Sequence, residues 1–435
     1  MTVPALVAEH SMEAPVRLGL RQNWEQFTLL VAVNAFVGAM VGLERATLPL
    51  VARAEFGQAS ALAALSFIAT FGFSKAVANL MAGMASERFG RRAVLLAGWT
   101  LAIPVPFAIL IAPSWCWIVA ANALLGASQG LAWSATVIMK IDLVGPRQRG
   151  LAMGLNEFAG YFALGMAALL SGMVAAKFGL RAGPAYAGVA VAFCGLILSL
   201  FARDTTCYAR LEHALVTADH SADRTAWRQS VPKTRDYFGT LLRVKGPLFN
   251  LNQAGLVNNL NDGMAWGLFP ILFAGAHLSL VEGSALVASY PIVWGIAQLF
   301  TGAMSDQVGR KQLIVAGMML QGIALILLAL TPTQLAWWIS IIGLGIGTAL
   351  VYPTLIAAVN DSVAPAWRGA AVGAYRFWRD SGYVVGAVGA GIVADAFGVS
   401  TTIVIVGTIT ILSGVLVAAR YVDRNHGGLQ NAVAA

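Results

Sequence analysis

Apolar runs of about 18 to 25 residues, separated by short polar turns, follow one another along most of the chain, and each is long enough to cross a hydrocarbon layer of about 30 Å as a helix. The pattern predicts twelve such helices, over residues 26–51, 58–82, 93–112, 116–139, 150–175, 183–202, 247–273, 281–304, 312–330, 334–358, 371–394 and 400–420. Residues 203–245 break the rhythm, being rich in Arg, Asp, Thr and His. The expected fold is therefore an all-α membrane protein: a tail (1–25), a six-helix bundle (26–202), a polar linker (203–245), a second six-helix bundle (246–420) and a closing tail (421–435). Within the linker, Trp227, Tyr237, Phe238, Leu241 and Leu242 lie among basic residues, a pattern suited to an amphipathic surface helix.

Two of the polar turns repeat one another. Residues 83–92 read Gly-Met-Ala-Ser-Glu-Arg-Phe-Gly-Arg-Arg and residues 302–311 read Gly-Ala-Met-Ser-Asp-Gln-Val-Gly-Arg-Lys, an offset of 219. The same offset carries Arg149-Gly150 onto Arg368-Gly369, Gly154 onto Gly373 and Phe178-Gly179 onto Phe397-Gly398. A constant offset over about a hundred residues marks a duplicated unit, so the two bundles are expected to be pseudo-symmetric.

Composition agrees with the pattern. Hydrophobic residues make up 58% of the chain and charged residues 11%, with mean hydropathy +0.73, which leaves too little polar surface to cover a water-soluble globule. No apolar stretch with a cleavage pattern opens the chain, so insertion is expected to rely on the first helix. Cys116, Cys194 and Cys207 are scattered without metal or redox spacing and read as packing residues. No metal or cofactor is expected, and without a Gly-x-x-x-x-Gly-Lys-Ser/Thr loop ATP is not the energy source.

The net charge of +8 matters through its distribution, because cytoplasmic loops are enriched in Lys and Arg. With both termini cytoplasmic, that side collects Arg17, Arg21, Arg88, Arg91, Arg92, Lys140, Arg147, Arg149, Arg310, Lys311, Arg368, Arg420, Arg424 and the basic residues of the linker. The other side collects Arg53, Lys177 and Arg181. The basic excess thus orients the protein in the lipid bilayer and points to no nucleic-acid partner.

Polar residues inside the spans carry the functional signal, since at membrane depth they must face protein or water. Asn34, Glu44 and Arg45 lie in helix 1, with Asn34 and Arg45 about three turns apart on one face. Lys75 lies in helix 2, Gln129 and Trp133 in helix 4, and Asn156 and Glu157 in helix 5. Helix 7 is the most polar, with Asn258, Asn259, Asn261, Asp262 and Trp266. Its Asn261-Asp262-Gly263 sequence favours a turn, which predicts a local helix break. Thr348 and Tyr352 in helix 10 match Gln129 and Trp133 by the offset, and helix 11 carries Arg376, Arg379 and Asp380.

Twelve spans, a six-plus-six repeat, a central linker and a glycine–acid–glycine–basic loop in both halves together resemble the major facilitator superfamily. Gly83, Glu87, Arg88, Gly90, Arg91 and Arg92 match the superfamily's loop, with Glu where Asp is usual, and Gly302, Asp306, Gly309, Arg310 and Lys311 match it again, with Gln307 where Arg is frequent. The resemblance implies a central cavity lined by helices 1, 4, 7 and 10, and a seam between halves built by helices 2, 5, 8 and 11. The polar residues above fall on those eight helices, and helices 3, 6, 9 and 12 are nearly free of them. Two motifs of the family's proton-linked drug exporters are missing: Gly126 stands where they carry an Arg in helix 4, and helix 5 has Gly160 and Gly165 without the following proline.

The expected assignments follow. Gly83, Glu87, Arg88, Gly90, Arg91, Gly302, Asp306, Gly309 and Arg310 form a conformational latch, against the simpler reading that the basic residues only fix orientation. Lys75, Arg376, Arg379 and Asp380 are charges of the seam, Arg376 and Asp380 being spaced to pair within the helix. Asp262 leads the proton-coupling candidates, followed by Glu44 and Glu157. Asn34, Arg45, Gln129, Trp133, Asn259, Trp266, Thr348 and Tyr352 are candidates for the substrate cavity. The chain reads as a monomeric secondary active transporter in a bacterial inner membrane, moving a small organic solute with protons by alternating access. An organic-anion carrier using Arg45 and Arg376, a uniporter and a non-transporting sensor remain as alternatives. No His, Cys or Ser constellation suggests an enzyme.

Overall fold

The computed structural model describes residues 17–145, 149–211, 247–362 and 368–422. Its spans are α1 (Trp24–Ala54), α2 (Ala61–Phe89), α3 (Arg91–Leu110), α4 (Trp115–Val144), α5 (Arg149–Phe178), α6 (Ala182–Leu200), α7 (Pro247–Gly275), α8 (Leu280–Val308), α9 (Arg310–Leu330), α10 (Gln334–Asp361), α11 (Arg368–Phe397) and α12 (Val399–Arg420). Two of them are interrupted. α1 divides into Trp24–Arg45 and Leu48–Ala54, and α3 into Arg91–Ala102 and Pro104–Leu110. Each second piece opens with a proline in its first turn, where the missing N–H costs no helical hydrogen bond. Among the described residues nine spans are long and apolar enough to cross a bilayer by composition alone. The three that fall short, α4, α7 and α11, carry buried polar side chains toward the protein interior.

The helices pack as two six-helix bundles with one pattern of contacts. α1 lies on α5 and α2 on α4 in the first half, as α7 lies on α11 and α8 on α10 in the second. Small residues set the spacing, as is usual between membrane helices. A Cβ on Gly38 or Gly42 would stand 2.0 Å from a carbonyl oxygen of α5, and one on Gly382 or Gly386 would stand 2.2 and 2.4 Å from carbonyls of α7.

The halves meet along α2–α11 and α5–α8, and the glycines of these helices show where they touch. Gly72 abuts Tyr383 and Val384 of α11, Gly391 abuts Leu62 of α2, and Gly165 and Gly172 abut Ile292 and Ser284 of α8. At the end bearing the repeated loops, a Cβ on Gly83, Gly154, Gly302 or Gly373 would meet nothing within 4 Å. The halves are therefore in contact from mid-depth to the far end, while these four glycines face open space at the loop end.

Two expectations are corrected and a third is refined. α7 runs unbroken through Asn261-Asp262-Gly263; Gly263 serves close packing instead, since a Cβ there would lie 2.7 Å from the Tyr383 carbonyl oxygen. The three cysteines are exposed rather than packed in the interior, Cys116 and Cys194 lying on the outer faces of α4 and α6. α9 and α12 are not purely apolar: Gln321 and Thr410 are fully buried and bond to α7. The linker aromatics fall outside the described residues, as does most of each tail.

Candidate functional site

The buried polar residues of α7 divide between two environments. Asn258 and Asn261 point into the second half, where Gln321 donates to Asn258 (3.1 Å), Asn261 donates to Gln321 (2.9 Å) and Thr410 donates to Asn261 (2.8 Å). This network satisfies its members within one bundle and reads as a fixed scaffold. Asn259, Asp262 and Trp266 lie on the part of α7 that meets α8, α10 and α11. Asn259 donates to Asp380 at 3.4 Å, and Trp266 stacks on Tyr383 with centroids 5.0 Å apart.

Asp262 is fully buried. One carboxylate oxygen accepts the Tyr290 hydroxyl of α8, whose oxygen lies 3.0 Å from the Thr348 hydroxyl of α10. The other carboxylate oxygen has no hydrogen-bond partner. A buried carboxylate held by few donors is costly to keep charged unless cations compensate it. Lys75 and Arg379 lie within electrostatic reach.

Lys75 of α2 is almost wholly buried among rings, its ammonium 4.9 Å from the Tyr383 centroid, 5.8 Å from Phe71 and 6.0 Å from Trp133. Asp380, Glu157 and Asp262 all act on its charge. Beside it Asp380 takes hydrogen bonds from Asn79 of α2 at 2.6 Å and from Arg379 at 2.8 Å. The i, i+4 partner expected from the sequence, Arg376, yields to Arg379, whose guanidinium lies 2.7 Å from the carboxylate. Arg379 also donates to the Tyr352 hydroxyl at 2.8 Å. Arg376 is half-buried with its Nε unpartnered.

An aromatic wall joins the halves at this level. Tyr161 of α5 stacks on Trp294 of α8 at 3.6 Å, its hydroxyl donates to Tyr352 at 3.2 Å, and Trp133 lies 5.3 Å from it. Trp133 and Asn156 each donate to the same oxygen of Glu157 at 3.0 Å, leaving the other without a partner. Glu157 is half-buried and lies one turn from Tyr161 toward the loop end of the seam.

Other candidates lie elsewhere. Asn34 ties α1 to its own half, donating to the Asn156 carbonyl at 2.8 Å and accepting from Thr136 at 3.0 Å. Gln129 is buried in α4 with its Oε1 unpartnered. Glu44 lines a small apolar cleft with residues of α3 and α6, away from the seam. Arg45 does reach the other half: its guanidinium lies 4.3 Å from the Phe71 centroid and 4.7 Å from Trp266, with no hydrogen-bond partner. Tyr161, Tyr290 and Tyr383 were not singled out from the sequence, where an aromatic facing a seam looks like one facing lipid. Lys140, expected in a loop, is fully buried in α4 and donates to the Leu30 carbonyl at 3.0 Å.

At the loop end the two copies of the repeat fold alike. Gly90 and Gly309 end one helix and begin the next with φ of +89° and +106°, a conformation that glycine adopts without strain. Arg91 then reaches Asp142 at the end of α4 (3.3 Å), and Arg310 reaches Asp361 at the end of α10 (3.1 Å). Arg91 also donates to the Ser86 carbonyl at 3.2 Å, and Arg310 donates to the Ser305 hydroxyl. Glu87 and Arg88 are exposed, Arg88 lying over the Phe89 ring at 5.2 Å. Asp306 lies in α8, and its side chain is outside the described ones.

This architecture is shared with known carriers. The structure superposes on a D-xylose–proton symporter with a TM-score of 0.72 at 16% identity, over 92% of this chain and 99% of that one. It superposes on the nucleoside transporter NupG at 0.70 and 14% identity, over 91% and 100%, and on a POT family transporter in complex with a thioalcohol-conjugated peptide at 0.71 and 13%, over 91% and 96%. In sequence it is 25% identical over 108 residues to an uncharacterized MFS-type transporter, YwoD, of Bacillus subtilis (strain 168), and 26% identical over 157 residues to Multidrug resistance protein 2 of the same organism. Those alignments span 25% and 36% of this chain and only 24% and 39% of the relatives. The profile of the Major Facilitator Superfamily, however, matches residues 28–232 and 253–433, and the chain belongs to that family.

Proposed function

We propose that this member of the family is a secondary active transporter that couples movement of a small organic solute to protons, with residues 26–202 and 246–420 rocking as two bodies about the central site. The observation that carries the reading is Asp262: a fully buried carboxylate on α7, bonded to α8 through one oxygen, with its other oxygen unpartnered. A group so placed changes its proton affinity when the seam opens or a cation moves. Lys75, whose charge is acted on by Asp262, Glu157 and Asp380, is the cation suited to move between them. Glu157, toward the loop end, is the second coupling site, and Glu44, away from the seam, has less support.

The aromatic wall of Trp133, Tyr161, Trp294 and Tyr352 offers flat apolar surface beside hydrogen-bonding edges, which suits a small organic molecule. A carrier of organic anions through Arg45 has less support, because its guanidinium is enclosed by rings from both halves. Uptake of a solute library into proteoliposomes, with and without an imposed pH gradient, tests the proposal. Gradient-driven accumulation of one solute class is the expected result, and equilibration unaffected by the gradient for every transported solute would replace it with a uniporter.

A further inference from the structure

The far end of the seam is held by a helix cap supplied across the two halves. α8 begins with a self-contained capping box: the Glu282 carboxylate accepts from the Ser279 backbone N–H at 2.9 Å, and the Ser279 hydroxyl accepts from the Glu282 N–H at 3.3 Å. The repeat places Ser60 and Ala63 of α2 at the equivalent positions. Ser60 keeps its half, accepting from the Ala63 N–H at 3.2 Å, but alanine at the third position has no carboxylate to return. The missing carboxylate comes from the other bundle. Asp395 of α11 accepts from the Ala61 N–H at 2.5 Å, the Leu62 N–H at 3.2 Å and the Ser60 hydroxyl at 2.6 Å.

Three donors at a helix N-terminus converging on one carboxylate are a strong cap, favoured by both hydrogen bonding and the helix dipole. Here the cap exists only while the halves touch at the far end. Among the described residues the opposite seam has no counterpart: the repeat puts Ala176 where α11 has Asp395, and Gly172 of α5 packs against Ser284 of α8 without a charge. We propose that Asp395 is the far-side latch of the transport cycle, a positioning residue that ties α2 to α11 and makes opening of that end cost the loss of its carboxylate from the N-terminus of α2. The inference rests on the alternating-access reading, in which the far end must open.

Its test reads separation rather than flux, so failure to find a transported solute leaves the readout intact. Spin labels at Ala59→Cys and Ala396→Cys, both exposed, in a background with Cys116, Cys194 and Cys207 replaced by Ser, report the distance across the far rim in reconstituted protein. Asp395→Ala should raise the long-distance population about fivefold relative to the parent, the ratio expected for loss of one helix cap. Ala63→Glu, made with Asp395 intact, gives α2 a cap of its own and competes with the tie. It should lengthen the distance without lowering Tm, and it stands as a test even if Asp395→Ala fails to fold. If Ala63→Glu instead leaves the distance unchanged, or if adding it to Asp395→Ala restores the short distance, Asp395 is only a local cap and the latch is overturned.

Discussion

Tyr290 of α8 donates its hydroxyl hydrogen to Asp262 of α7, and the second oxygen of that carboxylate is buried with no hydrogen-bond partner. The pair spans two helices of the second half at the level where both halves meet. Asp262→Asn keeps the shape and removes the titration, so accumulation driven by a pH gradient should fall at least tenfold while solute exchange at equal concentrations persists. Proteoliposome uptake and counterflow of the same solute separate the two. Gradient-driven uptake at the parent level in Asp262→Asn protein would take this residue out of the mechanism.

Glu87 is exposed at the loop end, and a latch acid there would hold one conformation rather than contact solute. Glu87→Gln should therefore slow turnover severalfold and leave equilibrium solute affinity within about twofold, because a latch acts on the exchange between conformations and not on the solute. Asp306→Asn should act the same way. Binding and rate measured on one preparation decide the matter, and loss of binding in a folded sample would contradict the latch.

Glycines of the two kinds should respond differently to a methyl group. Gly38→Ala would drive a Cβ to 2.0 Å from the Gly160 carbonyl oxygen, and overpacking of backbone against backbone should cost about 1–3 kcal/mol. Gly154→Ala meets open space in this conformation and, as a better helix former inside α5, should raise stability by about 0.5–1 kcal/mol. Thermal unfolding in one detergent compares them. Equal shifts would mean that the contact between α1 and α5 is looser than described.

Asp204, beyond the end of α6, supplies a cap at the start of α3. It accepts from the Arg92 N–H at 2.9 Å and from the Thr206 N–H at 2.8 Å, and it bonds the Thr206 hydroxyl. Partial burial pushes its carboxyl up, but these hydrogen bonds and the nearby Arg91 outweigh burial and hold it below the ordinary aspartate value. A carboxyl depressed in the folded state stabilises fully above its unfolded value, near about 3.9, and that contribution is lost as pH falls through the folded value. Melting followed downward from pH 5 should show a loss of Tm in the parent that Asp204→Asn protein, already lower at pH 5, shows less. Parallel curves for the two proteins would rule out the cap.

How the fold and the site divide between sequence and tertiary structure can be followed residue by residue. The bilayer forces each span to be long, apolar and helical, so the spans, the break between halves and the repeat are all written locally. Gly90 and Gly309 are in the same class, since a tight turn between two helices demands their backbone conformation whatever surrounds them. The partners of Arg91 and Arg310 were also within reach, because Asp142 and Asp361 are themselves 219 residues apart. Other relationships had no local signal. Asn261-Asp262-Gly263 looks like a turn in isolation, yet the packing of α11 against Gly263 keeps α7 helical. Asp380 has two arginines within helical reach, and only the placement of Tyr352 on α10 and Asn79 on α2 gives it Arg379. Asp395 reads as a surface acid at a helix end until folding brings it to the N-terminus of α2, more than three hundred residues away in the chain. The sequence by itself determined what each segment must be in a membrane; the side chains that hold one half to the other were decided only when the two bundles met, because their partners are set by contact in space and not by spacing along the chain.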